Sequence, residues 1–383
     1  MLPYPEDEIR AFYDEHRHEH TADLLLKAKP EDREKIQWMI EQIATRKKLE
    51  VKVPEWASRF DLYLPPVENL SQASSSLTAM YKSQKMSGNI LDLTLGSGVD
   101  SWQIGQMSSA LTAIEPNEEL AMRTKFNLEK LGVKMNLKLS TAEEFIDKNR
   151  DSFDWIYIDP SRRNEDGKRT VALHRMTPDL TALWPSLLAS SKHICVKLSP
   201  LFDITAIINE LSSVYRIEII AVKGEVKEIL VFAGKVDSPE VEISASELHG
   251  KGWTFSSAYF RSPAEGDWGG YLYDPSAAMI KSGLADEWAY QHELSKPLKD
   301  VNLYASDFLH ESFPGRVFRI VEKSKPYKLK NLPQRLAIVS RYYHERPEVI
   351  RKRLKVQESD SDFLFAVGKG KKSSLFIHAM RVI

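Results

Sequence analysis

The chain has 383 residues, of which 42% are hydrophobic and 28% are charged, with one cysteine and a formal net charge of −1. A chain of this length is expected to form two or three domains, each with its own core. Cys195 alone cannot form an internal disulfide, and no apolar run approaches the roughly 20 residues of a membrane helix. The acidic, proline-containing start at residues 1–8 is unlike a signal peptide, so the sequence predicts a soluble, cytoplasmic protein.

The charge is unevenly distributed along the chain. Residues 316–383 contain 17 Lys and Arg against 6 Asp and Glu, a local charge of +11, which leaves −12 on the remainder. A basic segment attached to an acidic body is typical of a part that binds a polyanion such as nucleic acid. A solvated surface with clustered basic residues would give the same count, so the charge favours nucleic acid without requiring it.

The order of apolar and polar residues predicts an α/β protein. Residues 1–66 show helical spacing, and residues 67–236 alternate short apolar strands with helices. Such alternation is typical of a parallel sheet covered by helices on both faces. The predicted strands are 89–93, 110–115, 135–139, 153–158 and 193–198, followed by an antiparallel hairpin formed by 215–222 and 229–233.

Two further segments follow, 237–305 and 306–383. The first is richer in Ser, Gly and aromatic residues, and the second has the pattern of a small basic α/β module. In this last module the sequence predicts a strand at 316–322, helices at 332–343 and 347–354, and a hairpin formed by 363–367 and 375–380.

A glycine turn follows the first predicted strand, in the run DLTLGSGVD at residues 92–100. Glycines allow a tight backbone turn and the close approach of a ligand. Ligands of open parallel sheets bind at the carboxyl ends of the strands, where the strand order reverses. The same run would also fit an ordinary strand-to-helix turn. The candidate cofactor-binding residues in it are Asp92, Thr94, Gly96, Gly98 and Asp100.

The second predicted strand ends in Glu115, which lies 17 residues after Gly98. A carboxylate at this place can accept hydrogen bonds from both hydroxyls of a ribose. Asn117 follows as a good helix cap, and we include it in the cofactor site. The alternative for Glu115 is a solvated residue at a strand end.

The charges of this region favour S-adenosylmethionine over a dinucleotide as the cofactor. The dinucleotide fingerprint needs a third glycine at the position of Ser101, and Asp100 would repel a phosphate. Asp92 can instead attract the ammonium of an amino-acid moiety, directly or through water. Residues Thr141 and Ala142, after the third strand, are expected to frame the adenine.

The fourth predicted strand stops at the run DPSRR, residues 159–163. Asp159 can accept hydrogen bonds from an amine, and Pro160 fixes the backbone beside it. Arg162 and Arg163 can hold phosphate or carboxylate groups. A strand-end turn with solvated charges is the alternative. We therefore predict a substrate site here, with Asp159 also close to the cofactor.

The fifth predicted strand ends in Lys197, which could face the same cleft and complete the catalytic residues. Cys195 lies inside this strand and is expected to be a buried core residue, so chemistry by thiol addition is not expected. His16, His18 and His20 alternate with charged residues, which is typical of a solvated helix face, and no metal site is predicted.

Taken together, these motifs resemble one family, the bacterial class I S-adenosylmethionine-dependent methyltransferases with a THUMP-like C-terminal domain. The resemblance extends from about residue 54 to the end of the chain and rests on these runs, together with residues 72–76, 196–200 and 224–228. It implies a Rossmann-like sheet of seven strands, a ferredoxin-like piece around 240–300 and a terminal module similar to RNA-binding domains. By domain analogy alone, it implies an RNA substrate, either tRNA or rRNA.

The fourth-strand motif departs from that of enzymes that methylate exocyclic base amines. Those enzymes usually carry a second proline and an aromatic residue where this chain has Ser161 and Arg162. Arginine can stack on a base, so base methylation stays compatible. Three alternatives stay open: an inactive RNA-binding scaffold, a methyltransferase of small molecules and a nicotinamide oxidoreductase. The missing third glycine disfavours the last of these.

Overall fold

The structure is a computed structural model that describes residues 2–27, 29–161, 171–236, 240–368 and 374–383. Its contacts divide the chain into two compact units, Met1–Tyr215 with Leu230–Pro239 and Arg216–Ile229 with Glu240–Ile383. Among the helices of the described ranges, none combines the length and the apolar character that crossing a bilayer requires.

The first unit begins with helices, as the spacing of its apolar residues predicted. They are α1 (Glu6–His16), α2 (Thr21–Lys27), α3 (Arg33–Lys52), α4 (Pro54–Ala57), α5 (Val67–Gln72) and α6 (Ser76–Ser83). Met39 and Ile43 lie four residues apart on α3, so their side chains share one face. That face forms a small core with Ile9 and Tyr13 of α1 and with Phe60.

Five parallel strands form the centre of the first unit. They are β1 (Gly88–Asp92), β2 (Ser108–Ile114), β3 (Asn136–Lys138), β4 (Phe153–Ile158) and β5 (Ser191–Leu198), in the order β3-β2-β1-β4-β5. The helices of this part are α7 (Val99–Met107), α8 (Glu118–Lys130), α9 (Ala142–Lys148), α10 (Leu180–Ser190) and α11 (Ile204–Glu210). The strand order reverses between β1 and β4, so their carboxyl ends flank the position where such sheets bind ligands.

The predicted hairpin closes this order. Strands β6 (Val214–Val222) and β7 (Glu225–Gly234) are joined by Lys223 and Gly224, and β7 lies between β5 and β6. Both turn residues have positive φ, +56° and +76°. Two successive positive φ angles are typical of the type I′ turn, whose twist matches that of a hairpin.

Two further strands follow the hairpin along the chain. Strand β8 (Glu242–Glu247) pairs with β6 in parallel, and β9 (Trp253–Ser257) pairs with β8 antiparallel. The residues of β8 from 243 to 246 are buried, which an internal strand covered on both faces requires. Strands β1–β7 thus match the seven that the resemblance implied, and β8 and β9 are additional.

A second sheet lies in the same unit, with the order β11-β10-β12-β15-β14-β13. Its strands are β10 (Tyr271–Pro275), β11 (Tyr304–Ser306), β12 (Gly315–Ser324), β13 (Ala337–Arg341), β14 (Asp362–Val367) and β15 (Leu375–Arg381). Its helices are α12 (Ala277–Ser282), α13 (Ala285–Gln291) and α14 (Pro347–Leu354). The sheet thus takes strands from both of the segments 237–305 and 306–383.

One predicted element of the last module is wrong. Residues 332–343 were predicted to form a helix, but they contain strand β13 instead. This strand pairs in parallel with β14. Ala337 and Ile338 enter different apolar clusters, so successive side chains of this strand face opposite sides of the sheet. A short apolar run buried on both faces has no alternation of polarity, and it cannot be told from a helix by its period.

Candidate functional site

The glycine turn connects the end of β1 to the start of α7. Gly98 has φ +79° and precedes the first turn of α7. A Cβ at Gly98 would lie 2.5 Å from Cγ2 of Thr124, and this threonine donates a hydrogen bond to the carbonyl oxygen of Gly96 at 2.8 Å. Only glycine therefore satisfies both the backbone angle and the close packing at position 98.

Glu115 extends from the end of β2 to the glycine turn. One of its carboxylate oxygens accepts a hydrogen bond from the Gly96 amide, and the other accepts one from the Asn117 amide, each at 3.0 Å. Asn117 itself caps α8, since its side chain accepts a hydrogen bond from the Leu120 amide at 2.9 Å. The structure thus brings together three residues that the sequence predicted for one site.

Asp92, the last residue of β1, is 1% exposed. Its carboxylate accepts hydrogen bonds from the Thr94 amide at 2.8 Å and from the Ser101 hydroxyl. Burial raises the pKa of Asp92 to about 7, against the lowering effect of these two hydrogen bonds. The carboxyl group therefore changes charge near neutral pH.

Thr94 joins the end of β1 to the end of β4. Its hydroxyl oxygen accepts a hydrogen bond from the Asp159 amide at 2.7 Å. Pro160, which follows, is buried and fixes the backbone at this place. Arg162 and Arg163, predicted to bind the charge of a substrate, lie outside the described residues.

Lys197, at the carboxyl end of β5, forms an ion pair with Asp159. About a third of the Asp159 side chain is exposed, against a tenth of the Lys197 side chain. The protein around Asp159 raises the pKa of its carboxyl, and Lys197 opposes this effect. The predicted acceptor-binding residues Asp159 and Lys197 therefore contact each other directly.

A buried charged cluster continues from this pair, and sequence reasoning missed three of its members. The Asp100 carboxylate accepts hydrogen bonds from the hydroxyls of Ser74 at 2.9 Å and Tyr157 at 2.8 Å. The ammonium groups of Lys82 and Lys197 lie 3.1 Å and 3.5 Å from its oxygens. Burial works to raise the pKa of Asp100, but the two lysines overcome it and lower that pKa.

A signal for Lys82 is present in the sequence. Helix α6 buries Thr78, Ala79, Lys82 and Ser83, positions that recur at the spacing of one helix face. A lysine on the buried face of a short helix requires a buried partner, because an isolated ammonium is costly to remove from water. The partner, Asp100, cannot be identified from this local pattern alone.

The remaining predicted residues, Thr141 and Ala142, begin α9 after β3. The Thr141 hydroxyl oxygen caps this helix by accepting a hydrogen bond from the Glu144 amide at 3.1 Å, and Ala142 is buried. Strand β3 is the neighbour of β2, so both residues lie at the same edge of the sheet as Glu115.

The residues at this edge fit a nucleoside cofactor. Among the described residues, a Cβ built at Gly96 would meet only the Thr94 carbonyl oxygen, at 3.8 Å, so these residues leave the space beside this glycine open. The open space lies next to the Glu115 carboxylate, whose oxygens each accept one hydrogen bond and have capacity for another. A vicinal diol is the kind of group that such a carboxylate can bind.

Comparison with known proteins supports the fold. A crystal structure of a proposed methyltransferase from Porphyromonas gingivalis W83 matches with a TM-score of 0.85 and 27% sequence identity, covering 100% of both chains. In addition, residues 271–314 match the pattern of a ferredoxin-like domain family. No curated protein sequence matches this chain. The predicted fold class is confirmed: a Rossmann-like methyltransferase fold with a separate ferredoxin-like α/β module.

Other solved structures match only part of the chain. An rRNA methylase from Streptococcus thermophilus covers 42% of this chain and 95% of its own, with 14% identity and a TM-score of 0.31. A tRNA (uracil-54, C5)-methyltransferase from Pyrococcus abyssi, in complex with S-adenosyl-L-homocysteine, covers 42% of this chain and 39% of its own, with 17% identity and a TM-score of 0.30.

Proposed function

We propose that this protein is an S-adenosylmethionine-dependent methyltransferase. The observation that carries the proposal is the Glu115 carboxylate, which is bound to the Gly96 amide beside the open space of the glycine turn. The likeness to the Porphyromonas gingivalis protein over the whole chain supports the same class of reaction. We assign the methyltransferase domain to residues 67–236, after the N-terminal helical region 1–66.

In this proposal the predicted residues bind different parts of the cofactor. S-adenosylmethionine supplies a methyl group bonded to a positively charged sulfur. Glu115 binds the ribose hydroxyls, and the ionised Asp92 attracts the ammonium of the methionine part. Gly96 and Gly98 leave room for the nucleoside, while Thr141 and Ala142 frame the adenine. Asp100 does not touch the cofactor in this proposal. It supports the glycine turn through the buried hydrogen bonds that it accepts from Ser74 and Tyr157.

The substrate side of the site is formed by Asp159. We expect its carboxylate to accept a hydrogen bond from the group that receives the methyl, so that the accepting atom approaches the methyl carbon in line with the sulfur. Positioning of this kind supplies much of the rate of a displacement reaction. Arg162 and Arg163, with Pro160 before them, are proposed to bind the rest of the substrate.

RNA is the proposed substrate, because the terminal segment 316–383 carries a local charge of +11. Several exposed cations of its described residues lie on β12, in the residues after it and around α14: Arg319, Lys323, Lys325, Lys328, Lys330, Arg346, Lys352, Arg353 and Lys355. Binding through such residues neutralises phosphates, so it weakens steeply as salt is raised. In this proposal the segment 237–305 is a small ferredoxin-like piece and residues 306–383 form a THUMP-like basic module.

Calorimetric titration with S-adenosylhomocysteine tests the cofactor. We expect binding to the native protein that is lost in Glu115→Ala and kept in the control Glu118→Ala, because Glu118 is an exposed residue in the first turn of α8. NADH, titrated in parallel, should not bind. Preference for NADH, or absence of binding by both ligands, would contradict the proposal.

Transfer of labelled methyl groups tests the substrate. Purified protein and methyl-labelled S-adenosylmethionine are incubated with RNA from cells that lack this protein, and with a small-molecule extract of the same cells. We expect label in the RNA, reduced when Lys352, Arg353 and Lys355 are all changed to Glu. Label only in the small-molecule extract would overturn the RNA substrate but keep the enzyme class. Cofactor binding with no transfer to either would favour the inactive scaffold.

A further inference from the structure

The buried cluster behind the glycine turn contains more charged groups than cofactor binding requires. Lys82 is fully buried, and its ammonium donates a hydrogen bond to the Ser74 hydroxyl oxygen at 2.8 Å. Lys197 donates to the same oxygen at 3.3 Å. Ser74 in turn donates to Asp100 at 2.9 Å. A serine hydroxyl has one donor and two acceptor sites, so these three bonds use its whole capacity.

This saturation fixes the direction of every hydrogen bond around Ser74. Because the serine proton is directed to Asp100, both lysines must donate to the serine oxygen. Each lysine nitrogen also lies beside a carboxylate, that of Asp100 for Lys82 and that of Asp159 for Lys197, and a neighbouring carboxylate favours the ammonium form. A fully satisfied buried network of this kind holds its members in one arrangement. Lys197 is thus held as a cation, and it is not the group that accepts a proton from a substrate.

The charges of the cluster then decide which carboxylate each lysine neutralises. Lys82 is the more deeply buried of the two, and Asp100 lies 3.1 Å from its ammonium. Since one carboxylate neutralises one ammonium, Lys197 has Asp159 as its counter-ion. Asp159 is the most exposed member of the cluster, so its carboxylate is the charged group that a substrate can reach.

We propose that Lys82 and Ser74 are positioning residues: they neutralise and orient Asp100, so that Lys197 is left to hold Asp159 as an ionised hydrogen-bond acceptor for the methyl-receiving group. The role of Asp159 toward a substrate rests on the function proposed above, whereas the network itself can be tested without it. The acceptor that fits such a carboxylate is a group with an N–H or O–H donor.

A titration of the Asp159 carboxyl by carbon-13 NMR, assigned with Asp159→Asn, tests the network directly. Among the residues that the structure describes, the charged groups that act on Asp159 include Lys197 on β5, Asp100 on α7, Lys82 on α6 and Asp92 on β1. In Lys82→Met, Asp100 competes with Asp159 for Lys197, and we expect the Asp159 midpoint to rise by about one pH unit. The acid limb of the pH–rate profile should move upward with it.

If Lys82→Met does not fold, two further variants test the same proposal. Ser74→Ala removes the shared hydroxyl without changing any charge, and it should raise the Asp159 midpoint by a smaller amount. The double variant Lys82→Met with Asp100→Asn removes one charge of each sign, and it should return the midpoint toward the native value. A native midpoint in Ser74→Ala, or an unrestored midpoint in the double variant, would overturn the proposal.

The ion pair of Lys192 and Asp154, on the same two strands, provides a matched control. Lys192→Met removes the lysine at the opposite end of β5, which pairs with Asp154 of β4 at 2.7 Å, and it should leave the Asp159 midpoint unchanged. Binding of S-adenosylhomocysteine by Lys82→Met should stay within about twofold of the native value, since Lys82 is not assigned to the cofactor. Failure of the native protein to bind this ligand would contradict the proposed function. The NMR midpoints of Asp159 would still test the roles of Lys82 and Ser74.

Discussion

The two ends of the strand pair β4–β5 carry the same two residue types in different surroundings. At the amino end, Asp154 of β4 pairs with Lys192 of β5, and 71% of the lysine side chain is exposed. At the carboxyl end, Asp159 pairs with Lys197, whose side chain is 10% exposed. The pairs are alike in chemistry and their carboxylates are similarly exposed, at 36% and 33%, so they differ in how far water reaches the lysine.

The difference reverses the effect on the carboxyl group. The hydrogen bond from Lys192 lowers the pKa of Asp154 below its ordinary value. Burial raises the pKa of Asp159, although it also has a lysine partner. An ion pair alone therefore does not define a functional site, whereas an ion pair within a buried network of further charges is typical of one.

The largest expected effect follows from removal of Asp100, the counter-ion at the centre of the buried cluster. Asp100→Ala leaves the Lys82 ammonium buried without its partner, and breaking a buried pair in this way costs about 3–5 kcal/mol. Urea unfolding of the variant should show this loss of unfolding free energy, while Asp154→Ala at the amino end should change little. Equal effects of the two substitutions would remove the contrast between the ends.

The two ends of β1 can be compared in the same way, because Gly88 lies at its amino end and Gly98 lies in the turn after its carboxyl end. Gly98→Ala places a methyl 2.5 Å from the buried Thr124 side chain, at φ +79°, and should cost about 1–3 kcal/mol of stability. Gly88→Ala at the amino end also has a positive φ, +87°, but its contact is the end of the partly exposed Asp154 side chain, which can rotate.

The two alanine variants should therefore differ in both stability and ligand binding. Thermal unfolding should show a larger loss for Gly98→Ala, and only this variant should lose affinity for S-adenosylhomocysteine. A loss of affinity in Gly88→Ala would mean that the two ends of β1 are not independent.

The titration of Asp92 predicts a pH dependence of ligand binding. The pKa of Asp92 is raised to about 7, so the group is mostly neutral at pH 6 and mostly ionised at pH 8. Only the ionised form attracts the ammonium of S-adenosylhomocysteine, so affinity should rise with pH from 6 to 8, by up to about tenfold in total. In Asp92→Asn the calorimetric affinity should be almost independent of pH, and an equal rise in this variant would contradict the role of Asp92.

The carboxyl ends of β1 and β2 could be predicted because their signals are local. An apolar strand that runs into Gly96 and Gly98, and a second strand that ends in Glu115, place a carboxylate and a turn at one edge of any parallel sheet. The structure then adds the direct hydrogen bond between Glu115 and Gly96.

The rest of the site depends on contacts between distant parts of the chain. Lys82 on α6 and Ser74, just before this helix, reach Asp100 only through tertiary packing, so no spacing in the sequence relates the three residues. The same limit explains the error at β13, whose short apolar run is buried on both faces by other elements. Local patterns thus identify the end of a strand, and tertiary packing decides what surrounds it.

The smallest expected effect is that of Lys192→Met at the amino end of β5. Because this lysine is mostly exposed, water and ions replace much of what the pair contributes, and the melting temperature should not change measurably. The Asp154 pKa should rise toward its ordinary value, since the hydrogen bond that lowers it is lost. If the Asp159 midpoint moved as well, a charge at one end of β5 would influence the other, and burial would no longer explain why only the carboxyl end forms a site.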